Sequence, residues 1–419
     1  VAVLFKMPVS FALGASSLLV LAFGGYNLVT VPQFAFSGLD SFALLAIPFY
    51  IFAGVIMEYS GISKMLIDWI KSFVGRIRGA TGVITICACM AFGVLTGSAM
   101  ATISAIGKMM VPELEKEGYP KAYNSALLAA TCFLGILIPP SVPGIMYALA
   151  SGGKISEIWM STIGPAFIFA VGYFVINYFR IGRHQVKPEK VNVAFSEKAR
   201  RIGKSTFYAI PALLMPIIIL GGIFGGIFTP TEASAVAVVY SLIISLFVYK
   251  DMSFKELPQV FVEGAVSTAT IMVMVGLSSA SSYVITTSGL PQQLVSFFSS
   301  ITNSPVVILL LLNILFLIIG MLMEANAAVV MMTPILLPLL NAFGIDLLQF
   351  GIVMSFNLCI GLVTPPVGLC LLLCNQTGET RLSHSLKAMM PMLLISIIVL
   401  FLITYVSPLT TLLPSIMAG

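Results

Sequence analysis

Long apolar runs recur from one end of this sequence to the other, with little charge between them. Hydrophobic residues make up 59% of the chain and charged residues only 9%, whereas soluble domains carry about 25% charged residues. A run of about 20 apolar residues is what an α-helix needs to cross a hydrocarbon core of ~30 Å. The sequence therefore predicts an all-α polytopic membrane protein in the lipid bilayer.

Seven of these runs are continuous enough to predict spanning helices. They lie at 8–28, 36–59, 157–180, 206–227, 231–250, 257–286 and 386–411.

Four further regions are apolar but interrupted. Regions 80–111 and 305–343 each contain two short arms that meet at a polar kink, "TGSAMATIS" and "MEANAAV". Because each arm is shorter than a full span, we interpret both regions as re-entrant hairpins. Regions 122–150 and 346–375 are predicted to be single spans that break at the Pro-Pro pairs of "GILIPP" and "GLVTPP", since proline interrupts a helix.

The basic residues support this layout. With both hairpins entering and leaving on one side, every Lys and Arg except Lys154 falls on the same face of the membrane. Basic residues concentrate in cytoplasmic loops, so this face is predicted to be cytoplasmic, with a long basic loop at 180–205. The same layout makes the C-terminus periplasmic. No nucleic-acid partner is predicted.

The two halves of the chain contain matching motifs. At an offset of 226, Pro and Gly residues of one half recur in the other; the first set is Pro112, Gly118, Gly135, Pro139 and Pro140, and the second is Pro338, Gly344, Gly361, Pro365 and Pro366. "SGISKML" and "SGLPQQL" match at an offset of 228. An odd number of spans between the halves inverts one relative to the other. Inverted repeats with broken helices are typical of secondary transporters.

Hairpin tips and unwound backbone predict two ion sites, because freed carbonyls and hydroxyls form a hard-oxygen donor set suited to Na⁺. The candidate ligands of the first site are Gly97, Ser98, Thr102, Ser104, Gly135, Ile138 and Pro140; those of the second are Met323, Asn326, Gly361, Thr364 and Pro366. Candidate substrate-binding residues between them are Ser98, Ala99, Ser141, Asn326, Ala327, Thr364 and Pro365. Each Ser or Thr has an alternative role as a hydroxyl that bonds back to its own helix.

Other chemistries have less support. Proton coupling needs a titratable group in the pathway, and only Glu324 is predicted to provide one; its alternative is an exposed carboxylate at the hairpin turn. A membrane-embedded enzyme would need a nucleophile with its base, a metal cluster or an acidic pair, and the sequence shows none. His184 and His384 fall in predicted loops, so no metal is expected beyond Na⁺, and no cofactor.

Several stretches resemble the large membrane subunit of tripartite ATP-independent periplasmic (TRAP) transporters. They are "GGIFGGIFTPTEASAVAVVYSL", "LTGSAMATISAIG", "EKEGYPKAYNSALLAA", "GILIPPSVPG" and "VTPPVG". The resemblance implies a Na⁺-driven importer of organic acids, of the sialic-acid or C4-dicarboxylate class, in the bacterial inner membrane. It also implies two partners, a small four-helix membrane subunit and a periplasmic substrate-binding protein. A proton-coupled or binding-protein-independent dicarboxylate transporter is the alternative.

The resemblance further implies an elevator fold, in which a scaffold braces a mobile transport domain. Mapped by motif, residues 1–78 would form scaffold helices and the first arm helix, and 79–155 the first half of the transport domain. Residues 156–287 would return to the scaffold, 288–304 would form the second arm, 305–376 the second half of the transport domain, and 377–419 the C-terminal helix.

Overall fold

The computed structural model describes residues 9–74, 79–181, 195–366 and 368–418. Within these residues the chain forms twenty α-helices. The first half contains α1 (Val9–Phe23), α2 (Thr30–Leu39), α3 (Ala46–Tyr59), α4 (Ile62–Val74), α5 (Ala80–Thr96), α6 (Ala99–Lys116), α7 (Lys121–Cys132), α8 (Leu134–Leu137), α9 (Val142–Ser151) and α10 (Ile155–Ile181).

The second half contains α11 (Phe195–Phe224), α12 (Pro230–Ile243), α13 (Leu257–Thr287), α14 (Leu290–Ile301), α15 (Pro305–Leu322), α16 (Ala325–Ala342), α17 (Leu347–Gly361), α18 (Leu369–Thr377), α19 (Leu382–Tyr405) and α20 (Pro408–Ala418). A 3₁₀ turn, Phe42–Leu45, leads into α3, and a π-helical turn, Ile244–Tyr249, extends α12. Eight helical segments of the described chain have the length and hydropathy to cross a membrane.

Three predicted spans match single helices closely, namely those at 157–180, 231–250 and 257–286. Helix α12 begins with a capping box: the Thr229 hydroxyl accepts the Glu232 backbone N–H, and the Glu232 carboxylate accepts the Thr229 N–H. This reciprocal bonding satisfies two backbone donors that the first turn of α12 would otherwise leave unpaired.

The other four predicted spans need correction at their ends. The span predicted at 8–28 ends at Phe23, because a turn follows in which Gly25 has a positive φ of 69°. The span predicted at 36–59 is interrupted at Asp40 and Ser41, where the chain leaves α2 and enters the 3₁₀ turn. The turn-forming residues Ser37, Gly38, Asp40 and Ser41 mark this break in the sequence.

The predicted span at 386–411 is two helices, since α19 ends at Tyr405 and α20 begins at Pro408. His384, predicted in a loop, lies in the first turn of α19. Helix α11 begins at Phe195, well before the predicted start at 206. Part of the predicted basic loop at 180–205 is therefore helical, because it is rich in helix-forming residues. The middle of that loop, 182–194, with His184, lies outside the described residues.

Both predicted hairpin regions are pairs of helices that meet at the predicted polar kink. The expectation that every arm is shorter than a full span was wrong for the second region, because α15 and α16 have 18 residues each and are apolar enough to cross a membrane. Helices α5 and α6 join at Gly97 and Ser98, and α15 and α16 join at Met323 and Glu324. In the first pair the two helices pack against each other, whereas α15 packs mainly on α17, and α16 packs mainly on α9 and α13. The second hairpin is therefore the more open of the two.

Both predicted helix breaks at the Pro-Pro pairs are confirmed. Residues 138–141 separate α8 from α9, with a bend of 45° between Lys121–Leu137 and Val142–Ser151. Residues 362–368 separate α17 from α18, and Val367 lies outside the described residues. The Pro139–Pro140 and Pro365–Pro366 peptide bonds are both cis.

The two arm helices also begin alike. Gly61 precedes α4 and Gly289 precedes α14, with positive φ angles of 64° and 74° that glycine adopts without steric cost. Helix α4 ends at Val74, and 75–78 lie outside the described residues. Within the stretch 288–304, predicted as the second arm, α14 runs over Leu290–Ile301.

Candidate functional site

One cavity of about 690 Å³ lies where the two hairpin tips approach each other. Its walls come from four sources: the first tip (Leu95 to Ala101), the second tip (Glu324 to Ala327), the two helix breaks, and the helices α3 and α13. A volume of 300–1,000 Å³ is typical of small-molecule sites. The cavity is therefore large enough to hold a small organic ligand.

The first tip is shaped by a glycine and a serine. Gly97 ends α5 in the left-handed conformation with φ 61°, and Ser98 then caps α6 by accepting the Ala101 N–H at 3.3 Å. A Cβ atom at Gly97 would lie 3.3 Å from the Pro140 carbonyl oxygen, so this tip contacts the first helix break directly. A hydroxyl cap is neutral, so the N-terminus of α6 keeps its partial positive charge.

The second tip is capped by a carboxylate. The Glu324 side chain accepts the Ala327 N–H at 3.2 Å through Oε2 and the Asn326 Nδ2 amide at 2.7 Å through Oε1. The Asn326 Oδ1 atom is buried without a hydrogen-bond partner in the described part of the protein. A buried acceptor without a partner is uncommon in folded proteins. A bound cation or a hydrogen-bond donor of a ligand could satisfy it.

Several of the predicted site residues come together at this cavity. Those that line it are Gly97, Ser98, Ala99, Ser104, Pro140, Asn326 and Ala327. Glu324 also lines the cavity, and its side chain caps the first turn of α16.

The remaining predicted residues lie behind the cavity wall or beside it. Thr102 and Thr364 donate their hydroxyls to the carbonyls of Ser98 and Ile360, four residues earlier in each case. The Ser141 hydroxyl caps α9, and its carbonyl accepts the Trp159 indole N–H. The other six, which are not among the cavity-lining residues, are Gly135, Ile138, Met323, Gly361, Pro365 and Pro366.

The sequence reasoning missed the part of the wall that belongs to α3 and α13. Tyr50 and Glu58 of α3 and Glu263, Ser267 and Thr270 of α13 line the cavity. The prediction that Glu324 alone provides a titratable group in the pathway was therefore wrong. A signal was available, because a carboxylate within an apolar helix is a functional candidate by default.

The sequence of this chain matches one family description along almost its whole length. Residues 1–409 match the family "Tripartite ATP-independent periplasmic transporter, DctM component". The chain belongs to the TRAP transporter DctM family. As in the resemblance drawn from the motifs, this makes it a large membrane permease and not an enzyme.

Curated relatives of this TRAP permease share about a third of its residues. The C4-dicarboxylate TRAP transporter large permease DctM of Pseudomonas aeruginosa is 34% identical, over 96% of this chain and 94% of the relative. The sialic acid TRAP transporter large permease SiaM of Vibrio cholerae is 32% identical, over 99% and 96%. The isethionate TRAP transporter permease DctMQ of Oleidesulfovibrio alaskensis is 34% identical, and the chain spans 62% of its length.

Solved transporter structures share the fold of this TRAP permease. The YdaH transporter of Alcanivorax borkumensis superposes with a TM-score of 0.61 over 91% of this chain and 88% of that chain, at 17% identity. MtrF of Neisseria gonorrhoeae superposes with a TM-score of 0.54 over 91% and 85%, at 14% identity. The architecture is thus that of a multi-pass membrane transporter.

Proposed function

We propose that this TRAP permease is a Na⁺-coupled secondary importer of an organic acid and works by an elevator mechanism. The observation that carries the proposal is the meeting of both hairpin tips at one cavity between the broken helices and the helices α3 and α13. Unwound backbone within a membrane protein is tolerated where it lines a cavity or is buried in protein. Broken helices at such a site are how secondary transporters bind substrates and coupling ions.

The oxygen atoms around the cavity are ligands suited to a hard cation such as Na⁺. It offers the hydroxyls of Ser98 and Ser104, the Pro140 carbonyl region and the unpartnered Asn326 Oδ1. Oxygen ligands suit hard cations, whereas soft metals prefer sulfur. Na⁺ at the two tips would also supply positive charge to a cavity that needs it for an anionic substrate.

The substrate class comes from the relatives and from the chemistry of the first tip. The relatives are described as carriers of C4-dicarboxylates, sialic acid and isethionate, all of them organic acids. At the first tip, the backbone N–H groups at the start of α6 and the neutral Ser98 cap favour an anion. We therefore expect the carboxylate of the substrate at this tip.

The elevator component follows from the division of the cavity wall. The tips and breaks belong to the proposed transport domain, 79–155 and 305–376, and α3 and α13 belong to the proposed scaffold. The two parts approach closely at Gly54 of α3, where a Cβ atom would lie 2.6 Å from the Thr96 carbonyl oxygen. The inverted orientation of the two halves lets the transport domain present the same site to either side of the membrane.

The proposal includes two protein partners. A small four-helix membrane subunit would associate with the scaffold, and a periplasmic binding protein would deliver the substrate. The chain would lie in the bacterial inner membrane with its C-terminus in the periplasm.

Uptake into proteoliposomes tests the proposal. The chain and its small subunit are reconstituted, and binding protein loaded with labelled sialic acid or succinate is added outside, with or without an inward Na⁺ gradient. We expect uptake that requires both Na⁺ and the binding protein. Uptake driven equally by a proton gradient would contradict Na⁺ coupling and favour Glu324 as a proton carrier, and uptake without the binding protein would contradict the tripartite arrangement.

A further inference from the structure

The cavity between the hairpin tips is lined by three carboxylates. Glu58 lies on α3, Glu263 on α13 and Glu324 at the second tip. Among the described residues that line it, no side chain is Lys, Arg or His. For a carrier of anions this is an unexpected wall, because each carboxylate repels a second negative charge brought near it.

The three carboxylates differ in the hydrogen bonds and charges that neighbouring residues provide to them. Glu263 accepts the Tyr59 hydroxyl at 2.6 Å and the Gln259 amide at 3.2 Å. Glu324 is held by its own helix turn, as described above. Glu58 is half-buried and accepts no hydrogen bond from the residues that the structure describes; Lys108 of α6 is the basic residue that acts on it electrostatically.

The negative charge is unevenly distributed around the cavity. The first tip has a neutral Ser98 cap and an N-terminal helix dipole free to attract an anion, whereas the second tip has its own carboxylate on the equivalent dipole. The wall formed by α3 and α13 contributes the remaining two carboxylates beside Ser267 and Thr270. Of the two tips, only the first therefore favours an anionic group.

We infer that Glu58 and Glu263 determine which organic acids this permease accepts, selecting a substrate with one negative charge and hydroxyl or ammonium donors at its far end. The single carboxylate binds at the first tip, and the donor-rich end faces the acidic wall of α3 and α13. A dicarboxylate would place its second negative charge against that wall. This inference rests on the proposed function, since it treats the cavity as the substrate site.

The size of the cavity points the same way. A volume of about 690 Å³ lies within the range that encloses drug-sized ligands, so a four-carbon acid leaves much of it unfilled. An ionised carboxylate accepts hydrogen bonds but cannot donate them, so its partners on a ligand are donors such as hydroxyl or ammonium groups.

Ligand binding to the purified chain with its small subunit tests the inference. Apparent dissociation constants for gluconate, sialic acid and succinate are measured by thermal stabilisation at saturating Na⁺ and constant ionic strength. We expect at least one of the two hydroxylated monoacids to bind about tenfold or more tightly than succinate, because one close repulsive charge pair is worth at least that factor.

The double variant Glu58→Gln/Glu263→Gln should bind succinate more tightly. The ratio of the succinate dissociation constant to that of the hydroxylated acid should therefore fall about tenfold. The control Glu197→Gln, an exposed carboxylate paired with Arg201, should leave the preference unchanged. Where the double variant does not fold, the single variant Glu58→Gln serves, because it breaks no hydrogen bond among the described residues. A merely structural role would weaken all three ligands together and leave their ratio unaltered.

Three outcomes overturn the inference. They are succinate binding to the unmodified chain as tightly as both hydroxylated acids, an unchanged preference in the glutamine variants, and no stabilisation by any of the three acids. Each is distinct from failure of the proposed function, because the uptake assay detects transport whichever acid is carried. Uptake of succinate in that assay together with tight succinate binding would support the proposed transport function and contradict the inferred selection by charge.

Discussion

Gly93 of α5 and Gly135 of α8 lie so close that neither could carry a side chain. A Cβ atom built on either residue overlaps the Cα atom of the other. The same relationship recurs between Gly320 of α15 and Gly361 of α17, where the overlap is again with backbone atoms. In both halves a hairpin helix therefore crosses the broken helix at the last turn before the break, and this contact fixes where the tip lies relative to the unwound backbone.

Replacing Gly135 by Ala should strongly destabilise the permease. The added methyl group meets backbone, which cannot move aside as a flexible side chain can, and overpacking a tight contact costs about 1–3 kcal/mol or more. Thermal unfolding of the purified protein measures the effect. Gly203→Ala is the matched control: nothing lies within 4 Å of its Cβ position on α11, so stability there should be unchanged or slightly higher. Equal melting temperatures in the two variants would contradict the crossing.

Replacing Gly54 by Ala should impair both stability and transport. Its Cβ would lie 2.6 Å from the Thr96 carbonyl oxygen and 3.1 Å from the Thr96 Cα atom, at the contact between the proposed scaffold and the first hairpin. Because the methyl group meets backbone, one of the two helices must shift, at a cost of about 1–3 kcal/mol. We expect a lower melting temperature and a severalfold fall in uptake by the protein that remains folded. An unchanged melting temperature would contradict the close contact.

Replacing Ser98 by Ala should weaken the Na⁺ dependence of uptake. The change removes a hydroxyl from the cavity wall together with the cap of α6, which is worth about 1 kcal/mol of stability. Thr364→Ala is the comparison, and we expect a smaller effect, because the Thr364 hydroxyl already donates to the Ile360 carbonyl. The half-saturating Na⁺ concentration measures both. No change in either variant would remove the predicted ion ligands at these positions.

Replacing Glu324 by Gln should separate sodium coupling from proton coupling. The amide oxygen can still accept the Ala327 N–H, so α16 keeps most of its cap while the charge is lost. We expect uptake to retain its Na⁺ requirement and the pH profile of the unmodified chain, with a weaker Na⁺ affinity. The assay is Na⁺-driven uptake across a pH series. Loss of a pH-dependent component in the variant would identify Glu324 as a proton carrier.

Replacing Asn357 by Leu should destabilise the packing of α15 against α17 and α19. The Asn357 amide donates to Oδ1 and to the carbonyl of Asn313 at 2.8 and 3.0 Å, and the Asn313 amide donates to the Thr404 hydroxyl. The variant leaves two buried acceptors of Asn313 without that donor, at a cost of about 1–3 kcal/mol. Thermal unfolding measures it, with Asn313→Leu/Asn357→Leu as the second variant. The double variant should lose less than the sum of the two single changes, because it removes both partners.

Membrane proteins allow a large part of their fold to be inferred from sequence. The bilayer requires every spanning segment to satisfy its own backbone hydrogen bonds, so apolar length alone predicts helices such as α10 and α13. Pro-Pro pairs and the polar kinks mark where those helices must stop, and α5 ends at the predicted kink while α8 ends at the predicted break. The break at Asp40 was missed although Ser37, Gly38, Asp40 and Ser41 are turn-forming residues, because the apolar residues on both sides were read as one span.

The composition of the cavity wall was only half predictable. Ser98 and Asn326 were recognised because they lie at polar kinks between short apolar arms, a local signal. Glu58 and Glu263 are carboxylates within apolar helices, which makes them candidates, but no local feature of the sequence tells whether they face a cavity or the membrane surface. Their position depends on how α3 and α13 rotate when they pack beside the tips, and that rotation is set by contacts distant in the chain.

Most of the long helices, the Pro-Pro breaks and the polar kinks follow from local sequence, because apolar length and proline act on each segment separately. Only packing between distant segments brings both tips to one cavity, sets a glycine crossing beside each tip and places three carboxylates on the cavity wall. These features arise from packing between segments far apart in the chain. The arrangement of all the helices sets how closely two backbones approach and which side chains face the cavity.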